Sequence, residues 1–119
     1  MDYTIHTNLK YGPLELVEAG HLADTCTEQW WNQSLCRLND SVIRLGVFKG
    51  EFHWHQHDRE DEFFFVLEGK LLVDLEGRTV ELEPRQGLVV PRTVVHRTRA
   101  PERTVALMIA AATVVPTGD

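Results

Sequence analysis

Three histidines, His53, His55 and His57, occupy alternate positions in the run Phe52-His53-Trp54-His55-Gln56-His57, and Glu62 follows five residues later. Successive side chains of an extended chain point to opposite faces. The spacing therefore predicts a strand over 52–57 with the three imidazoles on one face and Phe52 and Trp54 on the other. Neutral imidazole is a borderline ligand suited to transition metals, and two such rings on one strand grip an ion with little further ordering. Glu62 lies beyond the acidic turn Asp58-Arg59-Glu60-Asp61, from which a hairpin would return its carboxylate toward the rings. His96, after Pro91 in a late strand, joins them if the sheet closes on itself. Such a set would hold one divalent ion through three nitrogens and one oxygen, leaving positions for water or a bidentate substrate.

Plainer readings stand beside this one. The histidines could line a metal-free barrel and bond one another. Glu60 or Asp61 would replace Glu62 if the hairpin register differs, and otherwise both belong to a solvated turn. His53 shares the parity of the ligands and is the candidate catalytic residue, a proton carrier beside the metal; its alternative place is the barrel rim, which the reading favours. Arg44 sits in the apolar run Val42-Ile43-Arg44-Leu45-Gly46-Val47, where a charge costs stability unless paired or exposed. It could hold an anionic substrate or form an exposed or interface ion pair. Alternation toward His53 turns it outward unless Lys49-Gly50 introduces a bulge. Arg97 and Arg99 alternate away from His96, and Trp54 reads as sheet-packing or interface surface.

These residues must be positioned by short strands. Apolar positions at spacings near three and four in 14–31 predict a short amphipathic helix, starting near Ala19, that caps the barrel. After Trp31 short apolar or alternating runs predict strands over 33–38, 41–48, 52–57, 62–67, 70–75, 78–83, 88–90, 94–98 and 104–111. Turn residues separate them, including Asn39-Asp40, Glu68-Gly69, Glu76-Gly77 and Ala100-Pro101. Even spacing of this sort predicts an all-β fold, a closed barrel or jelly roll with one short N-terminal helix.

The 119 residues suit a single domain over 1–119, divided into an N-terminal strand and helix segment (1–31), a barrel (32–111) and a C-terminal tail (112–119). A net charge of −6 speaks against nucleic acid as a partner, because phosphate binding needs a positive surface. No apolar run has the length of a membrane span, so the expectation is a cytoplasmic protein with no membrane partner. Cys26 and Cys36 fit neither a redox pair nor a zinc ribbon and read as packed, reduced thiols.

From Gly50 to His96 the sequence resembles the small single-domain cupins, of the RmlC-like superfamily, whose first motif is G-x5-H-x-H-x3-4-E-x6-G. His55, His57, Glu62 and Gly69 reproduce it, with Gly50 one residue away from the place of the opening glycine. The second cupin motif, G-x5-P-x-G-x2-H-x3-N, is met by Pro91 and His96; Gly87 lies two residues too close to Pro91, and Thr93 and Ala100 replace the inner glycine and the asparagine. The resemblance implies a double-stranded β-helix barrel holding a metal through His55, His57, Glu62 and His96, with manganese, iron, nickel, cobalt, zinc or copper as the ion. Three functions follow for such a site. A Lewis-acid isomerase, epimerase or lyase would act on a small carbonyl, hydroxy-acid or sugar-like substrate. An iron or copper dioxygenase would use the same ligands, and a noncatalytic barrel would bind a small molecule unchanged. Apolar outer strands predict a homodimer.

Overall fold

β-branched and aromatic residues recur through the chain from Trp30 onward, and there every regular element is a strand. The computed structural model describes residues 2–119. In chain order the elements are β1 (Thr4–His6), α1 (Ala19–Thr25), β2 (Trp30–Leu38), β3 (Ser41–Glu51), β4 (Glu62–Glu68), β5 (Leu71–Leu75), β6 (Arg78–Leu82), β7 (Gly87–Val90) and β8 (His96–Ala111). They form the all-β jelly roll expected, with one short helix. The strands run β1-β2-β3-β8-β4-β7, while β5 pairs with β8 and with β6. This path does not return on itself, so the barrel is open where a closed one was among the expectations.

β8 is what folds the sheet over. Its residues from Thr104 to Ala111 lie between β3 and β4, and its start, His96 to Arg99, pairs with β5. The expected strands 94–98 and 104–111 are therefore one strand, and Ala100-Pro101 is not a turn. Opposite it, β3 steps from Phe48 to Gly50 while β8 steps from Thr104 to Ala100, a register shift that leaves Pro101 out of the ladder. Proline, with no N–H to give, is tolerated at such an irregularity.

Even-numbered residues of β3 face the interior and odd-numbered ones the outer face. Phe48 joins Trp30, Phe52, Phe64, Val66 and Met108 inside the barrel. Leu45 and Val47 join Leu35, Val105 and Ala23 outside it. That second cluster corrects the place of the helix. α1 spans seven residues and covers the outer face of β2 and β3 rather than capping the barrel. A helix this short is marginal alone. Ala23 anchors it, and Arg103 Nη2 donates to the Ala23 carbonyl at 2.5 Å, satisfying an orphan acceptor of its last turn.

Candidate metal centre

The histidine segment is not the expected strand. β3 ends at Glu51, and residues 52–57 meet β8 only in an interrupted ladder. Phe52 N donates to the Thr98 carbonyl at 2.9 Å, and His55 and His96 exchange two backbone hydrogen bonds of 2.9 Å. Between these contacts the histidine segment has two residues, His53 and Trp54, where β8 has only Arg97. One extra residue is a bulge, and it reverses the side-chain parity. Phe52 and His55 thus both face the interior, whereas a regular strand would have placed them on opposite sides.

The same bulge sorts the histidines. His55, His57, Glu62 and His96 come together, each offering a ligand atom within 4.8 Å of the others. Glu62 enters from the first position of β4 and His96 from the first position of β8. His57 is held from behind, its carbonyl accepting from Thr93 N at 2.8 Å. Thr93 itself has φ +69°, the left-handed conformation for which the second motif carries glycine. His53 does not join the cluster. It is exposed, its ring stacks on Phe52, and its Nε2 donates to the Thr117 carbonyl at 2.6 Å.

Backbone contacts fix the tautomers of two rings. His96 Nδ1 donates to the Val94 carbonyl at 2.8 Å and His55 Nδ1 to the His53 carbonyl at 3.0 Å, so both present Nε2 as a lone pair toward the cluster. Glu62 Oε1 lies 3.3 Å from His57 Nε2 and 4.0 Å from His96 Nε2. Neither nitrogen has a hydrogen-bond partner among the described residues, and His57 Nδ1 also lacks one. Each buried polar atom left so costs about 1–3 kcal/mol. Burial lowers the His55 pKa from 6.5 to about 4, outweighing its hydrogen bond to the His53 carbonyl, with His96 and His57 adding to the shift. Burial likewise lowers that of His96. These two rings are therefore neutral at pH 7, the state that binds a metal. Convergent donors with unpartnered nitrogens on His57 and His96 fit an ion, and the cluster is able to hold one.

A cavity of about 20 Å³, room for little more than a water or an ion, adjoins the cluster among Trp30, Asn32, Phe48, Phe52, His55, Glu62, Phe64, Thr98, Met108 and Pro116. The C-terminal segment crosses its mouth. Asp119 Oδ2 accepts from Asp58 N at 2.6 Å, and Asp119 N donates to the Gln56 carbonyl at 3.0 Å. Gly118, with φ +94°, packs so closely on His55 that an added Cβ would lie 2.6 Å from the His55 Cβ.

The alternative carboxylates divide. Asp61 is exposed and pairs with Arg92 at 3.2 Å. Glu60 is buried, accepts from Thr113 Oγ1 at 2.7 Å, and forms a second group with His57 and Asp119. Sequence reasoning missed Asp119, since nothing in its spacing tied it to the histidines. Arg97 and Arg99 face outward and bond Asp74 at 2.7 and 2.5 Å, and Arg97 lies 5.2 Å over the Trp54 ring. Arg44 corrects its expected outward place: it is 2% exposed and faces the interior, because the parity reversal lies at 52–55, beyond the segment counted. Burial lowers its pKa, with the Glu62 charge opposing.

A family model described as Cupin domain matches residues 45–112. The YdbB protein of Bacillus subtilis (strain 168) is 43% identical over 89 residues, which are 74% of this chain and 79% of that protein. Polyketide synthase CurC of Streptomyces cyaneus is 47% identical over 45 residues, 38% of this chain and 29% of that one. The crystal structure of a cupin-2 domain containing protein from Shewanella frigidimarina NCIMB 400 superposes with TM-score 0.75 at 26% identity, covering 79% of this chain and 92% of that one. No helix among the described residues is long and apolar enough to cross a membrane.

Proposed function

This chain belongs to the cupin domain family, and from that premise we propose that it is a metalloenzyme acting on a small oxygenated substrate. One observation carries the reading: the imidazoles of His55, His57 and His96 and the Glu62 carboxylate bring ligand atoms within 4.8 Å of one another, with buried nitrogens of His57 and His96 left unpartnered. His55, His57, Glu62 and His96 are the ligands in this reading, for manganese, iron, nickel, zinc, cobalt or copper. When bound, such an ion supplies Lewis-acid polarisation of a substrate carbonyl or hydroxyl oxygen.

The residues around the ligands supply the rest. Phe52, Phe64 and Met108 exclude water from the adjoining cavity, which strengthens polar contacts formed there. Glu62 places a negative charge against the imidazoles, and the backbone carbonyls of His53 and Val94 hold two of the rings in the donor tautomer. His53, whose ring centroid lies 5.4 Å from that of His55, is the proton carrier of an isomerase, epimerase or lyase reaction in this reading. In the same reading the chain acts as one domain, and as a homodimer in the cytoplasm.

Elemental analysis of protein purified without chelator or affinity-tag metal tests this directly. We expect one ion per wild-type chain and its loss in His57→Ala, which removes the most enclosed ligand not needed for the His55–His96 backbone bridge. Zinc, manganese, nickel or cobalt directs screening to isomerase and lyase substrates. Iron or copper, with oxygen consumed on adding chelating substrates, replaces that reaction with a dioxygenase one. No metal in either protein, even after incubation with each ion, leaves a metal-free binding barrel.

A further inference from the structure

Beside the candidate metal centre lies a second cavity, of about 160 Å³, and its charge is one-sided. Arg37 and Arg44 line it with the hydroxyl residues Thr7 and Ser34, and no carboxylate residue does. Arg44 is the unusual member. It is 2% exposed, its Nε has no hydrogen-bond partner, and none of the ion pairs among the described residues includes it. Guanidinium keeps its proton, so the barrel encloses a charge that makes no ion pair or side-chain hydrogen bond with the described residues, Glu62 acting on it only at a distance. Leaving a cation in this state is destabilising, and a fold that retains one has a use for it when an anion arrives.

Position ties this charge to the metal centre. In the sheet Arg44 is flanked by Ser34, which lines the second cavity, and by Met108, which lines the cavity against His55 and Glu62. Pro116 walls both spaces. A molecule held by Arg44 therefore lies one side chain away from the ligand cluster.

We propose that the substrate is a small organic carboxylate, its anionic end gripped by Arg44 and its remaining oxygens turned toward the metal centre. This specificity rests on the metal reading above only for the second half. The planar guanidinium matches the two carboxylate oxygens in parallel hydrogen bonds. Carboxylate is favoured over inorganic phosphate because Val42, Val114, Leu9 and Pro116 give the cavity apolar walls that suit a hydrocarbon portion.

The test measures binding of acetate, glycolate, pyruvate, neutral pyruvamide and inorganic phosphate by calorimetry. The proteins are wild type, Arg44→Met and Arg44→Lys, each as purified and after metal supplementation, with metal content determined in the same samples. At least one carboxylate should bind wild type, at least about ten-fold more weakly to Arg44→Met, and at an intermediate level to Arg44→Lys. Without ligand, Arg44→Met should melt no lower than wild type, because it removes a buried charge that has no direct ion pair; a merely structural arginine would show a lower melting temperature instead. Carboxylate binding that is indifferent to Arg44, phosphate binding tighter than every carboxylate, or a lowered melting temperature in Arg44→Met without loss of binding each overturns the proposal. Arg44-dependent binding in a protein that takes up no metal sinks the metal reading and leaves the anion site standing. Stoichiometric metal with no Arg44-dependent binding does the reverse.

Discussion

His55 holds a neutral ring at a depth where a charged one is disfavoured, and that preference has a consequence for stability. Its pKa is lowered from 6.5 to about 4 by burial, so between those values the unfolded chain binds a proton that the folded metal-free chain does not. Stability must then fall as pH drops through that window. Melting temperatures of chelator-treated protein should decline between pH 6.5 and 4, and less steeply in His55→Gln; equal slopes would show that His55 does not set the dependence. Thr93 carries a separate cost, since a β-branched residue at φ +69° is strained by about 1–3 kcal/mol. Thr93→Gly should therefore gain about 1 kcal/mol after the entropy glycine adds to the unfolded chain, read as a higher denaturant midpoint at unchanged slope. Three of the clustered residues were legible because their spacing is local, His55 and His57 two apart and Glu62 across one turn, and distant His96 was legible through its place after Pro91 in the second motif. Alternation puts Arg44 on the wrong face because it counts Arg44 as opposite to His53 and His53 as sharing the ligand face. The extra residue at His53–Trp54 sets His53 apart from His55, so Arg44 falls on the interior face while His53 lies exposed, in keeping with the rim reading.

Among the elements, strand existence was legible and strand continuity was not. Pro101 reads locally as a break, yet β8 runs through it because β3 shifts register there, from Phe48 to Gly50 opposite Thr104 and Ala100. The C-terminal segment had no legible role at all, since its contacts are made by backbone groups, a glycine and an Asp119 carboxylate whose spacing points to nothing. It nonetheless covers His55, through Asp119 on Gln56 and Asp58 and Thr117 on His53. Gly118 has no side chain because His55 occupies the space one would need. Gly118→Val should lift this segment from the cluster while leaving the barrel strands paired. The expected outcome is faster removal of bound metal by a chelator, with a melting temperature within a few degrees of wild type for the metal-free protein. An unchanged removal rate would mean that the segment does not gate the centre.

At the scale of the molecule the sheet is covered unevenly. α1 shields the outer face of β2 and β3, but the outward residues of β4 and β7 have no such cover. Phe63 pairs with Val89 and Ile109 in register, and Phe65 with Leu107, so apolar side chains from three strands share one outer face. Val89, on the terminal strand β7, is 54% exposed, and Leu67 on β4 is 36% exposed. A contiguous apolar face on an open sheet invites association, and the commonest solution is a two-fold pair that buries the same face of both copies. Sedimentation velocity at tens of micromolar should accordingly show a particle of twice the 13.6 kDa chain mass. Val89→Arg places a charge on that face without disturbing the interior, whose residues lie on the opposite parity. It should sediment as a monomer, with metal content and carboxylate binding unchanged, because neither the ligand cluster nor Arg44 touches the outer face. A wild-type monomer would overturn the dimer, and a Val89→Arg protein that remains dimeric would move the interface to another face of the barrel.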